Sequence, residues 1–248
     1  MEKTKKSNSK RNISKLNDNF RESILDYAIS HNLKCAHALI ALYATGCRPA
    51  EIEKGIVVNF DDKTNILEFR ILGSKLNRAQ KRGIAIRKIK IQITDKNERF
   101  YSHITEIFKN NPGSYDYKIK TESGKAFSGY ISKISKELWP RKKHHVSAYS
   151  FRHAKASDLK NNDYSDIEIA QVLGHASTRA QQSYGRRNKK NRGGFDDIAD
   201  VETSAKPREN DRLLRFKIAN KNKASQKLSE SISSSTPATT APVRKFKR

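Results

Sequence analysis

Tyr149-Ser150-Phe151-Arg152-His153 begins a stretch that continues through Leu173-Gly174-His175 and ends at Tyr184. Its pattern predicts a helix from about Tyr149 to Leu159. Ser165-Asp166-Ile167-Glu168 then has the form of a capping box, in which hydroxyl and carboxylate each satisfy a free backbone N–H. The helix it opens stops at Gly174, where a turn calls for a residue without Cβ. Upstream, Thr45-Gly46-Cys47-Arg48-Pro49-Ala50-Glu51-Ile52 follows a helix carried by Ala36, Leu39, Ile40 and Tyr43 and stopped at Gly46. Pro49 suits the first position of a short helix, with Glu51 and Glu53 in its favourable first turn. An earlier helix runs through Phe20, Ile24, Tyr27 and Ala28, capped by Asn17 or Asp18.

Between these helical parts the periodicity changes. Ile56 to Phe60 and Ile66 to Leu72 read as strands around a turn at Asp61 to Asn65. Gly73 to Arg82 is a polar, basic connection. Gly83 to Ile93 reads as a third strand whose isoleucines change face between Ile86 and Ile89, which predicts a bulge or two short strands. Helical stripes resume at Phe100, Ile104, Ile107 and Phe108, and again at Phe127, Tyr130, Ile131, Ile134 and Leu138. Asn110 to Gly124 reads as loop, with Pro112-Gly113 as a turn. The fold class expected is α+β, mainly α, with a small three-stranded antiparallel sheet.

Composition narrows the partners. The formal net charge is +25 over 248 residues. Six Lys/Arg and one Glu lie in the first fifteen residues, and seventeen Lys/Arg with seven Asp/Glu in residues 185–248. The remaining +10 belongs to residues 16–184, so the body itself is basic and suits a polyanion. Hydrophobic residues make up only 35%, so the Lys/Ser/Asn-rich start and the Ser/Thr/Pro-rich end are expected to be disordered. Two cysteines, Cys35 and Cys47, form no disulfide framework and no zinc spacing, which points to a reducing compartment. No apolar run reaches the ~20 residues that span a bilayer, and the N-terminus lacks a secretory h-region.

The chemistry of the quoted stretch is that of a phosphate clamp with a tyrosine nucleophile. A phenol attacks a phosphodiester only where the developing charge is stabilised. Arginine does this best, because its planar fork grips two oxygens and keeps its charge. Arg48 and Arg152 come from separate segments and can hold one phosphate from two sides. His175 can add a hydrogen bond. Lys75, in a connection that also holds Arg78 and Lys81, can protonate the leaving 5′ oxygen. No acidic constellation suggests a metal, so neither metal nor cofactor is expected.

Taken in order, these pieces resemble the tyrosine recombinase (phage integrase) family over roughly residues 18–190. Arg48 lies in what looks like that family's first box. Lys75, in Gly73-Ser74-Lys75, sits where the family carries its lysine. Tyr149-Ser150-Phe151-Arg152-His153 is similar to the HxxR-type second box, Leu173-Gly174-His175 to the Leu-Gly-His element, and Tyr184 to the nucleophile. The resemblance implies a tyrosine-recombinase catalytic-domain-like helical domain with catalytic residues Arg48, Lys75, Tyr149, Arg152, His175 and Tyr184. It implies cleavage and rejoining of double-stranded DNA through a 3′-phosphotyrosine, by four protomers, during integration, excision or inversion of a mobile element. Cytoplasmic, nucleoid-associated localisation and no membrane contact follow from the same reading.

Two features depart from the family. Tyr149 stands where the second box usually has histidine, and at neutral pH a phenol is a poor general base. Few residues precede Arg48, whereas most relatives carry a helical clamp domain there. The expected organisation is a disordered basic arm (1–16), a catalytic domain (17–192) and a basic, largely disordered tail (193–248), with the tails or an accessory protein replacing the clamp. The alternative reading is a catalytically weak or inactive DNA-binding protein on the same fold, acting as an accessory or structural factor. A third is a generic basic nucleic-acid-binding protein.

Overall fold

A computed structural model describes residues 13–76, 83–111, 116–184 and 197–209. It contains seven α-helices and a five-stranded sheet among the described residues. The chain enters through α1 (Phe20–Ser30), α2 (Ala36–Thr45) and α3 (Pro49–Lys54). The sheet strands β1 (Ile56–Asp61), β2 (Ile66–Leu72) and β3 (Ile86–Gln92) follow. Then come α4 (Glu98–Asn110), β4 (Tyr117–Ile119), α5 (Gly124–Leu138), α6 (Ala148–Asn161) and α7 (Asp166–Val172). A 3-10 helix over Thr178–Ser183 and β5 (Ile198–Thr203) complete it.

α2 is apolar on nearly every side, and only His37 escapes full burial along it. A helix of that kind forms the centre of a bundle. It packs on α1 and α6, while α5 covers α1 and α3. α6 is as deeply buried, yet it carries Arg152, Lys155 and Asp158. Two of these charges meet opposite ones: Asp158 pairs with Arg21 of α1, and Lys155 Nζ with Asp197 Oδ1 at 3.0 Å. Asp197 also accepts the Tyr101 hydroxyl. Burying ions unpaired is costly, so these pairs fix how α6 sits against its neighbours.

The sheet runs β4-β1-β2-β3-β5, antiparallel throughout. Its inward row is Ile56, Val58, Leu67, Phe69, Ile71, Ile89 and Ile91, all fully buried. The sequence pattern predicts three strands, and five are present. β4 escapes that pattern because three residues within a loop-like segment show no periodicity of their own; it pairs Ile56 with Ile119. β5 lies inside the segment expected to be tail and pairs with β3, placing Val201 opposite Ile89. The expected bulge between Ile86 and Ile89 is also corrected. β3 pairs with β2 without a register shift; Ile84 is buried ahead of the strand and Ile86 is 41% exposed. The one irregularity of β3 lies at Lys90/Ile91, on the β5 side. No described helix is long and apolar enough to cross a membrane.

Candidate active site

Helix ends and the turns that close them build the pocket. Gly46 closes α2 with φ 59°, and its N–H returns to Leu42 O. The chain then extends through Arg48 (φ −86°, ψ 148°), as a residue before proline must. Glu51 reaches back from the first turn of α3, accepting Arg48 N–H at Oε2 (2.8 Å) and Arg48 NH1 at Oε1 (2.7 Å). At the far end of α7 the chain makes a Schellman turn: Gly174 N–H bonds Gln171 O, and His175 N–H bonds Ala170 O at 2.7 Å. Gly174 sits at φ 64°, and that reversal aims the His175 ring inward.

Arg152 is fully buried at the centre. Its NH1 donates to Gly46 O at 2.8 Å, and its NH2 to Leu173 O at 2.5 Å. Its Nε donates to the Tyr184 hydroxyl at 2.8 Å, and its NH2 lies 2.9 Å from His175 Nε2. Both carbonyls belong to residues at helix-ending turns, so the turns themselves hold the guanidinium. Tyr184 follows the 3-10 helix, with its N–H on Gln181 O. It is half-buried, its hydroxyl 3.3 Å from His175 Nε2 and its ring 5.0 Å from that of His153.

The donors assign the histidine tautomer. A guanidinium only donates, so His175 Nε2 accepts and the ring proton sits on Nδ1. Nδ1 is buried without a partner among the described residues. Burial first, then the charges of Arg152 and Arg48, push the His175 pKa down to about 2. The ring is therefore a neutral acceptor facing the phenol. Burial, followed by the Arg48 charge, also lowers the Arg152 pKa, as expected of two guanidiniums sharing a neighbourhood. Burial alone would raise the Glu51 pKa; Arg87, Arg48 and Arg152 outweigh it and hold the carboxyl well below the usual range.

The depressed histidine has a measurable consequence. An unfolded histidine binds a proton below about pH 6.5, whereas the folded His175 does not until far lower. Its contribution to stability is thus complete above about pH 6.5 and shrinks as pH falls toward the folded value. Denaturation at pH 7 and pH 5 should show a loss of about 2 kcal/mol from this group. The loss should be smaller by that amount in His175→Gln.

The structure thus brings Arg48, Arg152, His175 and Tyr184 together, and the other two of the six candidate residues are exposed. Lys75 is exposed in the connection after β2. Tyr149 is 42% exposed on the first turn of α6. Among the described residues neither is seen to hydrogen-bond to the four. Arg78 and Lys81, the other cations of the Lys75 connection, lie outside the described residues, as does the basic run after Tyr184. Three further residues belong to the site. In sequence Glu51 shows only as a favourable first-turn charge, and His153 only as the neighbour of Arg152. Arg87 is hidden because the pattern makes Ile84 and Ile86 look inward. Counting two residues back from Ile89 along the inward phase of β3 finds it. Its NH2 bonds Glu51 Oε2 at 2.7 Å. No group of three or more His, Cys, Asp or Glu among the described residues is placed to hold a metal ion.

No protein-family model and no curated protein matches the sequence. Among solved structures the chain is similar to XerA recombinase, at 16% identity and a TM-score of 0.48, covering 71% of this chain and 61% of that one. It is similar to XerH site-specific recombinase bound to difH substrate, at 17% and 0.44, covering 69% and 50%. A third is the Tn1549 transposon integrase in complex with transposon right end DNA, at 16% and 0.41, covering 68% and 60%. These neighbours are tyrosine recombinases, and the chain spans between half and about three-fifths of their lengths.

Proposed function

We propose that the chain is a site-specific DNA recombinase or integrase that cuts and rejoins double-stranded DNA through a covalent tyrosine intermediate. One observation carries the reading: the Tyr184 hydroxyl lies within hydrogen-bond reach of both Arg152 Nε and His175 Nε2. In the reaction the Tyr184 oxygen attacks the scissile phosphorus. The Tyr184 O–P bond forms, the bond to the 5′ oxygen breaks, and a 3′-phosphotyrosine remains. His175 Nε2 is the acceptor in reach of the phenolic proton. Burial depresses its basicity first and the guanidinium charges add to this; an incoming phosphate offsets the part due to the guanidiniums. The leaving 5′ oxygen takes a proton from Lys75 or from water. A 5′ hydroxyl of another strand then reverses the steps, so bond energy is conserved and neither ATP nor metal enters the scheme.

Among the described residues Arg152 makes four bonds, which leave one NH1 hydrogen over. That hydrogen and the Arg48 fork are the donors for the non-bridging oxygens. Four protomers on two duplexes, an accessory protein or the basic segments closing over DNA, and nucleoid association in the cytoplasm belong to the same proposal.

A nicked suicide duplex tests the reaction. Its short 5′ fragment diffuses away after cleavage and traps the intermediate. Wild type should accumulate a denaturant-stable protein–DNA complex, and Tyr184→Phe should give none. Equal trapping by both would sink the mechanism. Exposed Tyr149, where the family's histidine is expected, favours the second reading, a DNA-binding protein without cleavage. That reading predicts specific duplex binding and no trapped complex.

Charge makes a further prediction. Residues 210–248 carry ten Lys/Arg and two Asp/Glu. Removing them leaves β5 intact and should flatten the dependence of log affinity on log salt, by about 0.9 for each phosphate that the segment neutralises. An unchanged slope would mean that this segment does not touch DNA.

A further inference from the structure

Arg87 is the least expected side chain of the fold. It occupies an inward position of β3, in phase with Ile89 and Ile91, and is buried to 1% exposure. An isoleucine there would continue the core. Taking a guanidinium out of water instead is costly unless its partners compensate. Yet Arg87 is poorly served: NH2 alone is bonded, while Nε and NH1 find no acceptor among the described residues. It also constrains its surroundings, since a Cβ on Gly174 would lie 2.6 Å from NH1. A costly and under-bonded cation beside a catalytic pocket calls for a reason other than packing.

The reason lies in how the Glu51 carboxylate is divided. Oε1 accepts from Arg48 NH1, while Oε2 accepts from Arg48 N–H and Arg87 NH2. One negative charge is thus shared by two guanidiniums. Without Arg87, Glu51 would face Arg48 alone and cancel its charge. With Arg87, the trio keeps one net positive charge, and Arg48 is the member with some exposure, 12% against none for the other two.

Resting on the recombinase reading above, we propose that Arg87 is a positioning residue that holds Glu51 from below, so that Arg48 keeps charge in surplus for the scissile phosphate. Arg87 itself does not touch DNA. It sets the angle of Arg48 through the shared carboxylate, and Gly174 is the glycine that makes room for it.

The test is a double-mutant cycle on the full chain, with Arg87→Met, Arg87→Lys, Arg48→Ala and Arg48→Ala/Arg87→Met. The first readout is the trapping rate on the nicked duplex at saturating DNA. The second is inorganic phosphate binding, followed at the His175 ring protons by NMR. Arg87→Met keeps the volume without the charge and should lower both about tenfold, the scale of coupling within one ion-pair network. Arg87→Lys should recover most of the loss. In the Arg48→Ala background, Arg87→Met should change neither. Independent, multiplying effects of the two substitutions, or Lys no better than Met, would overturn the proposal, because a packing role ignores charge and Arg48. If wild type forms no covalent complex, the recombinase reading fails and the phosphate cycle alone decides on Arg87. Should Arg87→Met not fold, Arg87→Gln takes its place in the same comparisons.

Discussion

Arg152→Ala is expected to reduce strand cleavage by about 10³-fold or more, the scale on which loss of a charge-stabilising donor slows such transition states. The side chain meets four acceptors from four directions: Gly46 O, Leu173 O, His175 Nε2 and the Tyr184 hydroxyl. Its removal takes a cation from the phosphate and releases the phenol and the imidazole that it orients. Lysine should not rescue, because an ammonium is a point charge and cannot reproduce a planar fork serving separated acceptors. Duplex affinity at fixed salt should change only a few-fold, since most of it comes from the basic surface. The check is trapping rate and affinity on the same protein, with circular dichroism confirming the fold. Cleavage within tenfold of wild type would remove Arg152 from the chemistry.

Glu51→Gln is expected to be the most destabilising single polar change. The residue is fully buried and is the carboxylate that bonds both Arg48 and Arg87. An amide leaves the buried Arg87 without a counter-charge, and breaking a buried pair in this way costs about 3–5 kcal/mol. For a chain of this size that is a fall in Tm of roughly 10 °C. The pH dependence has a definite sign. A carboxyl depressed on folding contributes stability that is complete above its unfolded pKa, about 4.3. That contribution is lost as pH falls through the folded value. Beyond the loss due to His175, wild type should therefore lose the Glu51 contribution from about pH 4.5 downward, and Glu51→Gln, already lacking it, should lose less. Melting at pH 7 and pH 3.5 checks both. A Tm at pH 7 within about 2 °C of wild type would mean that the pairing carries no net weight.

Much of this arrangement is legible in the residues. Gly46, Pro49 and Gly174 are punctuation with a physical cause, and they mark where α2 stops, α3 starts and α7 turns back. The first and last of those turns supply backbone carbonyls or ring placement at the pocket. Ser165 with Glu168 announces the start of α7, and both bonds of that box are present. Short edge elements are not legible. β4 has three residues, and β5 (Ile-Ala-Asp-Val-Glu-Thr) is amphipathic in a polar segment, so each becomes a strand only because β1 and β3 offer free edges. Arg87 hides for a related reason. A cation in an inward strand position contradicts the pattern that identifies strands, and it persists there because Glu51, distant in sequence, meets it. Burial of Arg152 is equally invisible, since two of its partners are carbonyls, which leave no trace in side-chain identity.

At the centre of the proposed chemistry a phenol, two guanidiniums and an imidazole act on one phosphorus. The most direct measurement is to digest the trapped complex and locate the DNA-linked peptide by mass spectrometry, while labelling the ends of the released strand. The expected result is a 3′-phosphate joined to Tyr184 and a free 5′ hydroxyl on the partner fragment. A linkage to any other residue, or a 5′-phosphate on that fragment, would contradict it.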